Sequence, residues 1–170
     1  MESKNLDLYG SPPIPWERAA SQFEQREFHG GTGTYWLSTT CSNGRPHAAG
    51  VLGVWVDGAL YFASGVRTLK SRNLQANSRC AISASLADLD VVIEGSARRV
   101  TDRETLERIA AEFVRRGWPT EVNGDSLTAA WGAPSAPPPW HLYAVTPSVA
   151  FGVGTDATPG AMRWSFGSVS

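Results

Sequence analysis

The sequence has little of what marks secreted, metal-binding or nucleic-acid-binding chains. Cysteine occurs twice in 170 residues, at Cys41 and Cys80, far apart and in apolar, strand-like surroundings. Neither a disulfide framework nor a metal knuckle is indicated, and both read as buried thiols. The three histidines, His29, His47 and His141, are scattered among unlike segments without the close spacing that a zinc or non-haem iron site needs. Charge is balanced, with 15 Lys+Arg against 16 Asp+Glu and a net charge of -1, so there is no general attraction to nucleic acid or an anionic membrane. Any basic function is therefore local. Glu2 and Asp7 interrupt the amino-terminal segment, which reads as neither a signal peptide nor a membrane span, and a cytoplasmic location is the expectation. There is no repeat of solenoid period, no Gly-x-Ser-x-Gly elbow and no Walker-type loop. Gly30-Gly31-Thr32-Gly33 precedes a strand and opens no helix, so it reads as a turn and not as a dinucleotide loop.

What is present suffices for one core: 42% of residues are hydrophobic and 18% charged, as in an ordinary single domain. Residues 1–15 hold the cluster Ser11-Pro12-Pro13-Ile14-Pro15 and predict an extended arm; residues 16–170 form the domain. The spacing of Trp16, Ala19, Ala20, Phe23 and Phe28 predicts a short amphipathic helix. Strands are predicted over 34–40, 48–56 and 59–64, joined at Ser42-Asn43-Gly44-Arg45 and at Asp57-Gly58. A helix follows over 68–76, with Thr68 as N-cap and Asn77 as its stop, then strands over 79–86 and 89–100.

The clearest helix spans 102–116, opened by a Thr101/Glu104 capping box, with the core stripe Leu106, Ile109, Ala110, Phe113 and Val114. Residues 118–139 read as a long Gly/Pro-rich loop that lines or covers a site. Two strands broken at Pro147 and a last one near 161–166 complete seven or eight short strands. Consecutive strands with short hairpins favour an antiparallel barrel over a parallel sheet.

Chemistry concentrates at Arg67-Thr68-Leu69-Lys70-Ser71-Arg72. Three cations crowd the start of a helix whose free N–H groups and positive dipole end favour an anion, with hydroxyls at Thr68 and Ser64. Composition alone leaves two readings open, a phosphate site and a solvated helix face. Of the seven tryptophans, Trp36 and Trp55 are expected in the core, and Trp118, Trp131, Trp140 and Trp164 over a ring or across a dimer interface.

Gly44-Arg45-Pro46-His47, Gly50-Val51-Leu52-Gly53-Val54-Trp55, Asp57-Gly58-Ala59-Leu60-Tyr61-Phe62, and Thr68-Leu69-Lys70-Ser71-Arg72-Asn73-Leu74 together resemble the pyridoxamine 5′-phosphate oxidase-like split-barrel family. The likeness runs over residues 35–100. It extends faintly to Met162-Arg163-Trp164-Ser165-Phe166, which is similar to the ending of many actinobacterial members. The resemblance implies a mainly β fold with a few helices, an antiparallel split β-barrel of the type that binds flavin mononucleotide (FMN). It also implies a homodimer with cofactor sites at the interface.

The cofactor implied is the deazaflavin coenzyme F420, with FMN as the alternative, and the activity is hydride transfer to an unsaturated small molecule. An FMN-dependent oxidase or reductase and a non-catalytic cofactor binder are the other readings. The redox ring would lie against Gly50, Val51, Leu52 and Gly53, an apolar wall allowing close backbone approach, and the phosphate against Arg67, Thr68 and Lys70, joined by Arg72 and Ser64. Trp164 would touch the cofactor edge. The sequence departs from the family at Leu69 and Ser165, where many members have arginine, and the first departure removes a phosphate donor. The cofactor carries the redox chemistry, so no catalytic residue is assigned.

Overall fold

The computed structural model of the chain describes residues 1–28, 34–132, 137–156 and 159–167; His29 and the Gly30-Gly31-Thr32-Gly33 turn lie outside them. Among the described residues there are ten strands, β1 (Glu2–Asn5), β2 (Thr34–Thr40), β3 (Pro46–Val56), β4 (Ala59–Gly65), β5 (Arg79–Ser85), β6 (Leu89–Val100), β7 (Thr120–Asn123), β8 (Ser126–Ala129), β9 (Trp140–Gly154) and β10 (Ala161–Ser165). Three helices accompany them, α1 (Trp16–Glu24), α2 (Leu69–Ala76) and α3 (Arg103–Arg115). Every pairing is antiparallel, and β9–β4–β3–β2–β5–β6 closes back on β9 as a six-stranded barrel.

The split falls on β9. Its first half pairs with β4 and its second half with β10, while β6 runs along its other side throughout. Pro147 does not break this strand. It stands opposite Gly95, where the ladder shifts register between Glu94 and Gly95, and that irregularity absorbs the N–H a proline lacks. A Cβ at Gly95 would collide with the Thr146 carbonyl, so only glycine allows the two backbones this approach.

Alternation along the strands sorts side chains into two cores. Leu60 and Phe62 of β4 point into the barrel with Tyr35, Val51 and Trp55, while Tyr61 points outward under α3. α3 buries Leu106, Ile109, Ala110 and Phe113 on that outer face. Val114, at the edge of the expected stripe in the last turn, is exposed instead. The N-cap is Asp102, whose carboxylate accepts from the Thr105 N–H at 2.9 Å, so the helix starts one residue later than the Thr101/Glu104 box predicts. α2 is capped by Thr68 as expected, and Asp57 and Gly58 both take positive φ in the β3–β4 turn.

Two further segments differ from expectation. Residues 120–129 form the β7–β8 hairpin, turned at Gly124 with φ of +61°; the Asn-Gly pair there is a hairpin signal that the surrounding glycines and prolines mask. Residues 2–5 of the arm pair with β10, because β10 would otherwise present an open edge. No helix among the described residues is long and apolar enough to cross a membrane.

At the barrel mouth His141 is buried, and its Nδ1 has no hydrogen-bond partner among the described residues. Desolvation first, then the Arg99 cation, hold its pKa below the usual histidine value, with Asp125 acting the other way. The folded state thus prefers neutral imidazole, and the unfolded chain binds the proton more readily. Stability is then full above the unfolded pKa of about 6.5 and falls as pH drops below it toward the folded value. We expect Tm to decline between pH 7.5 and 5.5 in thermal melts, and His141→Gln to flatten the slope; equal slopes would discard the assignment.

Candidate functional site

The outer face of the β3–β4 ladder supplies the floor of a cleft of about 300 Å³, lined by Gly50, Val51, Leu52, Ala63, Ser64, Gly65, Lys70, Trp118, Trp131, Gly132 and Trp140. Alternation decides what each offers. Gly50 and Leu52 face outward, whereas Val51 is 5% exposed and belongs to the barrel interior, so it lines the cleft through its backbone. Gly53 also faces inward: a Cβ there would lie 3.0 Å from the Tyr61 carbonyl and 3.4 Å from the Tyr35 ring. Of the expected wall Gly50, Val51, Leu52 and Gly53, the outward positions are therefore Gly50 and Leu52, with Val51 present through its backbone and Gly53 turned to the barrel interior.

The far wall is aromatic. Trp118 and Trp140 are each 4% exposed, with ring centroids 5.2 Å apart, and Trp118 stands edge-on to Phe113 at 5.0 Å. The Trp118 indole N–H donates to the Trp131 carbonyl at 3.0 Å. The Trp140 ring occupies the space a Cβ at Gly132 would need. Thus the segment after β8 brings Trp131 and Gly132 to the cleft, and the turn that follows α3 and the start of β9 bring Trp118 and Trp140 beside them.

Where β4 ends, Gly65 also borders a second hollow of about 410 Å³, walled by Val66, Arg67, Thr68, Pro137, Pro138 and Pro139. Between the two hollows lies the turn into α2. The Thr68 hydroxyl donates to the Gly65 carbonyl at 2.9 Å and accepts from the Ser71 N–H at 3.4 Å. The buried Ser71 hydroxyl lies 2.9 Å from the Ser64 hydroxyl and 3.0 Å from the Gly65 carbonyl. The Ser64 and Thr68 hydroxyls are therefore engaged in holding the turn. What remains for an anion is the Lys70 ammonium, the Arg67 guanidinium and the N–H groups opening α2.

The cations of this turn have no carboxylate of their own. Arg18, Arg99, Arg103, Arg108, Arg115 and Arg116 pair with carboxylates, whereas Arg67, Lys70 and Arg72, like Lys4, Arg26, Arg45, Arg79, Arg98 and Arg163, form no ion pair among the described residues; of these unpaired cations, Lys70 and Arg67 are the two that line the hollows meeting at Gly65. Lys70 is half-buried on the cleft wall, and desolvation lowers its pKa. A cation taken partly out of water without a carboxylate is an arrangement that a bound anion relieves. Arg72 is exposed on α2 and lines neither hollow.

Trp164 is not brought to the cleft. Its indole is fully buried, lies over Gly152, where a Cβ would come within 2.5 Å of it, and donates to the Ile14 carbonyl at 3.2 Å. It fastens the arm to the barrel and leaves no edge for a ligand. Among the core expectations, Trp55 is buried, whereas Trp36 is 56% exposed on the outward face of β2.

The profile of the pyridoxamine 5′-phosphate oxidase family matches residues 22–150. The chain belongs to that family. Its fold is the split barrel of this group of flavin-binding oxidoreductases. A pyridoxamine 5′-phosphate oxidase-related, FMN-binding protein from Nostoc punctiforme PCC 73102 superposes with a TM-score of 0.62 at 16% identity, covering 92% of this chain and 93% of that one. The General Stress Protein 26 from Bacillus anthracis str. Sterne gives 0.56 at 18% identity over 89% and 100%. An F420 reductase gives 0.50 at 17% identity over 76% and 93%. At these identities the structural likeness is one of fold. No curated protein matches the chain. Membership of the pyridoxamine 5′-phosphate oxidase family accords with a cleft that has an apolar floor and unpaired cations at one end.

Proposed function

We propose that the chain is an oxidoreductase that binds the deazaflavin coenzyme F420 and delivers hydride from its reduced form to an unsaturated small molecule. The observation that carries the choice of cofactor is the meeting of two hollows at Gly65, on either side of the Thr68–Lys70 turn. FMN ends at its phosphate. Coenzyme F420 continues past its phosphate into an anionic tail, and the hollow walled by Arg67, Pro137, Pro138 and Pro139 offers room for that tail beside the phosphate. The fold neighbour that is an F420 reductase is consistent with this reading.

In this reading Gly50 and Leu52 take one face of the ring, with the Val51 backbone between them, and Lys70, Arg67 and the first N–H groups of α2 hold the phosphate. Ser64 and Thr68 act by fixing the turn. The bound cofactor supplies the hydride, and a proton from water completes reduction of the acceptor. The protein's work is to bind, orient and exclude water along the Trp118–Trp140 wall. Trp36 stands opposite Gly50 across the β2–β3 ladder, and its exposed indole supports a homodimer that covers the open side of the cleft.

Fluorescence titration with each cofactor tests the reading. Coenzyme F420 should bind tightly and FMN more weakly; tight FMN binding with no deazaflavin binding overturns it in favour of an FMN enzyme. Gly50→Val should weaken ring binding ~10-fold, about one aromatic contact, while leaving Tm nearly unchanged. A Cβ there comes within 3.3 Å of the Thr34 side-chain methyl, a tight contact, but one with an exposed residue that can give by a few tenths of an ångström.

A further inference from the structure

Trp118, Trp131 and Trp140 line the same cleft, yet they are placed very differently. Trp118 and Trp140 are 4% exposed and Trp131 is 55% exposed. Trp118 and Trp140 are spent on each other and on the outer core. Trp131 stacks on no other ring among the described residues, but its backbone is fixed. Its carbonyl accepts the Trp118 indole N–H, and Gly132, the next residue, is pressed beneath the Trp140 ring. The result is an indole whose backbone is tied to the aromatic wall and whose ring, among the described residues, stacks on no other.

We propose that the Trp131 indole is the stacking face for the acceptor and selects planar, fused-ring conjugated molecules such as quinones over small enones without a fused aromatic ring. The inference rests on the oxidoreductase reading above. A ring seated on Gly50 and Leu52 has one face against the protein, so an acceptor must approach the other, lying parallel at a near-attack distance of about 3–3.5 Å. Trp131 borders the same cleft as Gly50 and Leu52 and is the exposed one of its three indoles, so it is the indole available to that approach. Offset stacking on an indole rewards extended π surface and gives little to a small enone. Trp131 is thus a specificity-determining residue that touches the acceptor, and it takes no part in bond making.

The test is calorimetric binding of menadione, a fused-ring quinone, and of 2-cyclohexenone to protein loaded with oxidised cofactor, so that no turnover intervenes. Trp131→Ala should weaken menadione about 5-fold and leave cyclohexenone and cofactor affinity unchanged, and Trp131→Phe should recover most of the loss. In turnover the Trp131→Ala change should appear in KM for quinones with kcat retained. Equal menadione affinity in wild type and Trp131→Ala overturns the proposal, as does an equal loss for both ligands. A loss of cofactor affinity instead assigns the indole to the cofactor and also overturns it. Failure of the underlying reading is separately visible as absence of cofactor binding by wild type. The same menadione comparison on the free chain then still decides the role of Trp131.

Discussion

Lys70→Ala is expected to lower cofactor affinity about 10- to 150-fold, the loss of one charge-assisted phosphate bond worth roughly 1.5–3 kcal/mol. The size follows from the setting. Lys70 is half-buried, desolvation lowers its pKa, and no carboxylate pairs with it among the described residues, so the ammonium is already partly dehydrated and aimed at the cleft. Lys70→Arg keeps the charge and should retain most of the affinity. Arg67→Ala, at an exposed position, should cost less because water screens that charge, and Arg72→Ala should cost nothing measurable.

The same residue sets a pH dependence. A bound anion favours protonated Lys70, so affinity should hold at neutral pH and fall as pH rises through the lowered pKa of the free protein, below the ordinary value of about 10.4. The Lys70→Ala variant should lose that alkaline limb. Fluorescence titration across pH 7 to 10.5 reads both effects, and an affinity indifferent to Lys70 would move the phosphate elsewhere.

Much of this was legible in the sequence, and the parts that were not share a cause. The meander of β2, β3 and β4, the Asp57-Gly58 turn and the Thr68 cap are local, encoded within a few residues, and each is found where its pattern places it. The cationic turn was legible as a cluster, but not the division of labour within it. That Ser64 and Thr68 are engaged internally depends on Ser71 lying beneath both, and no spacing rule reveals that. Strand parity could have separated Val51 and Gly53 from Gly50 and Leu52, because neighbours on one strand face opposite ways. Trp164 and Pro147 depended on distant partners, the Ile14 carbonyl and the register shift at Gly95. The site's aromatic wall is likewise assembled from the end of α3, the segment after β8, and the start of β9, pieces separate in sequence and joined only by the outer core.

That joining predicts a second large effect. Phe113→Ala is expected to cost about 3–5 kcal/mol, the range for removing a fully buried aromatic from a packed core. Phe113 is 0% exposed, stacked on Phe28 at 5.9 Å and edge-on to Trp118 at 5.0 Å. The cavity would open directly behind the Trp118–Trp140 pair, so the variant should also lose near-ultraviolet circular dichroism from those indoles and bind ligand more weakly at temperatures where it is still folded. Ile93→Ala provides the contrast. Ile93 is 1% exposed in the barrel interior, so its removal should cost about 2–5 kcal/mol through the other core. The barrel would then weaken while the indole signal and the affinity of the folded fraction stay as in wild type. Denaturant unfolding gives the two stabilities, and ligand titration well below each midpoint gives the two affinities. If both variants lost affinity alike, the two cores would act as one unit, and the cleft would owe its shape to the whole barrel and not to α3.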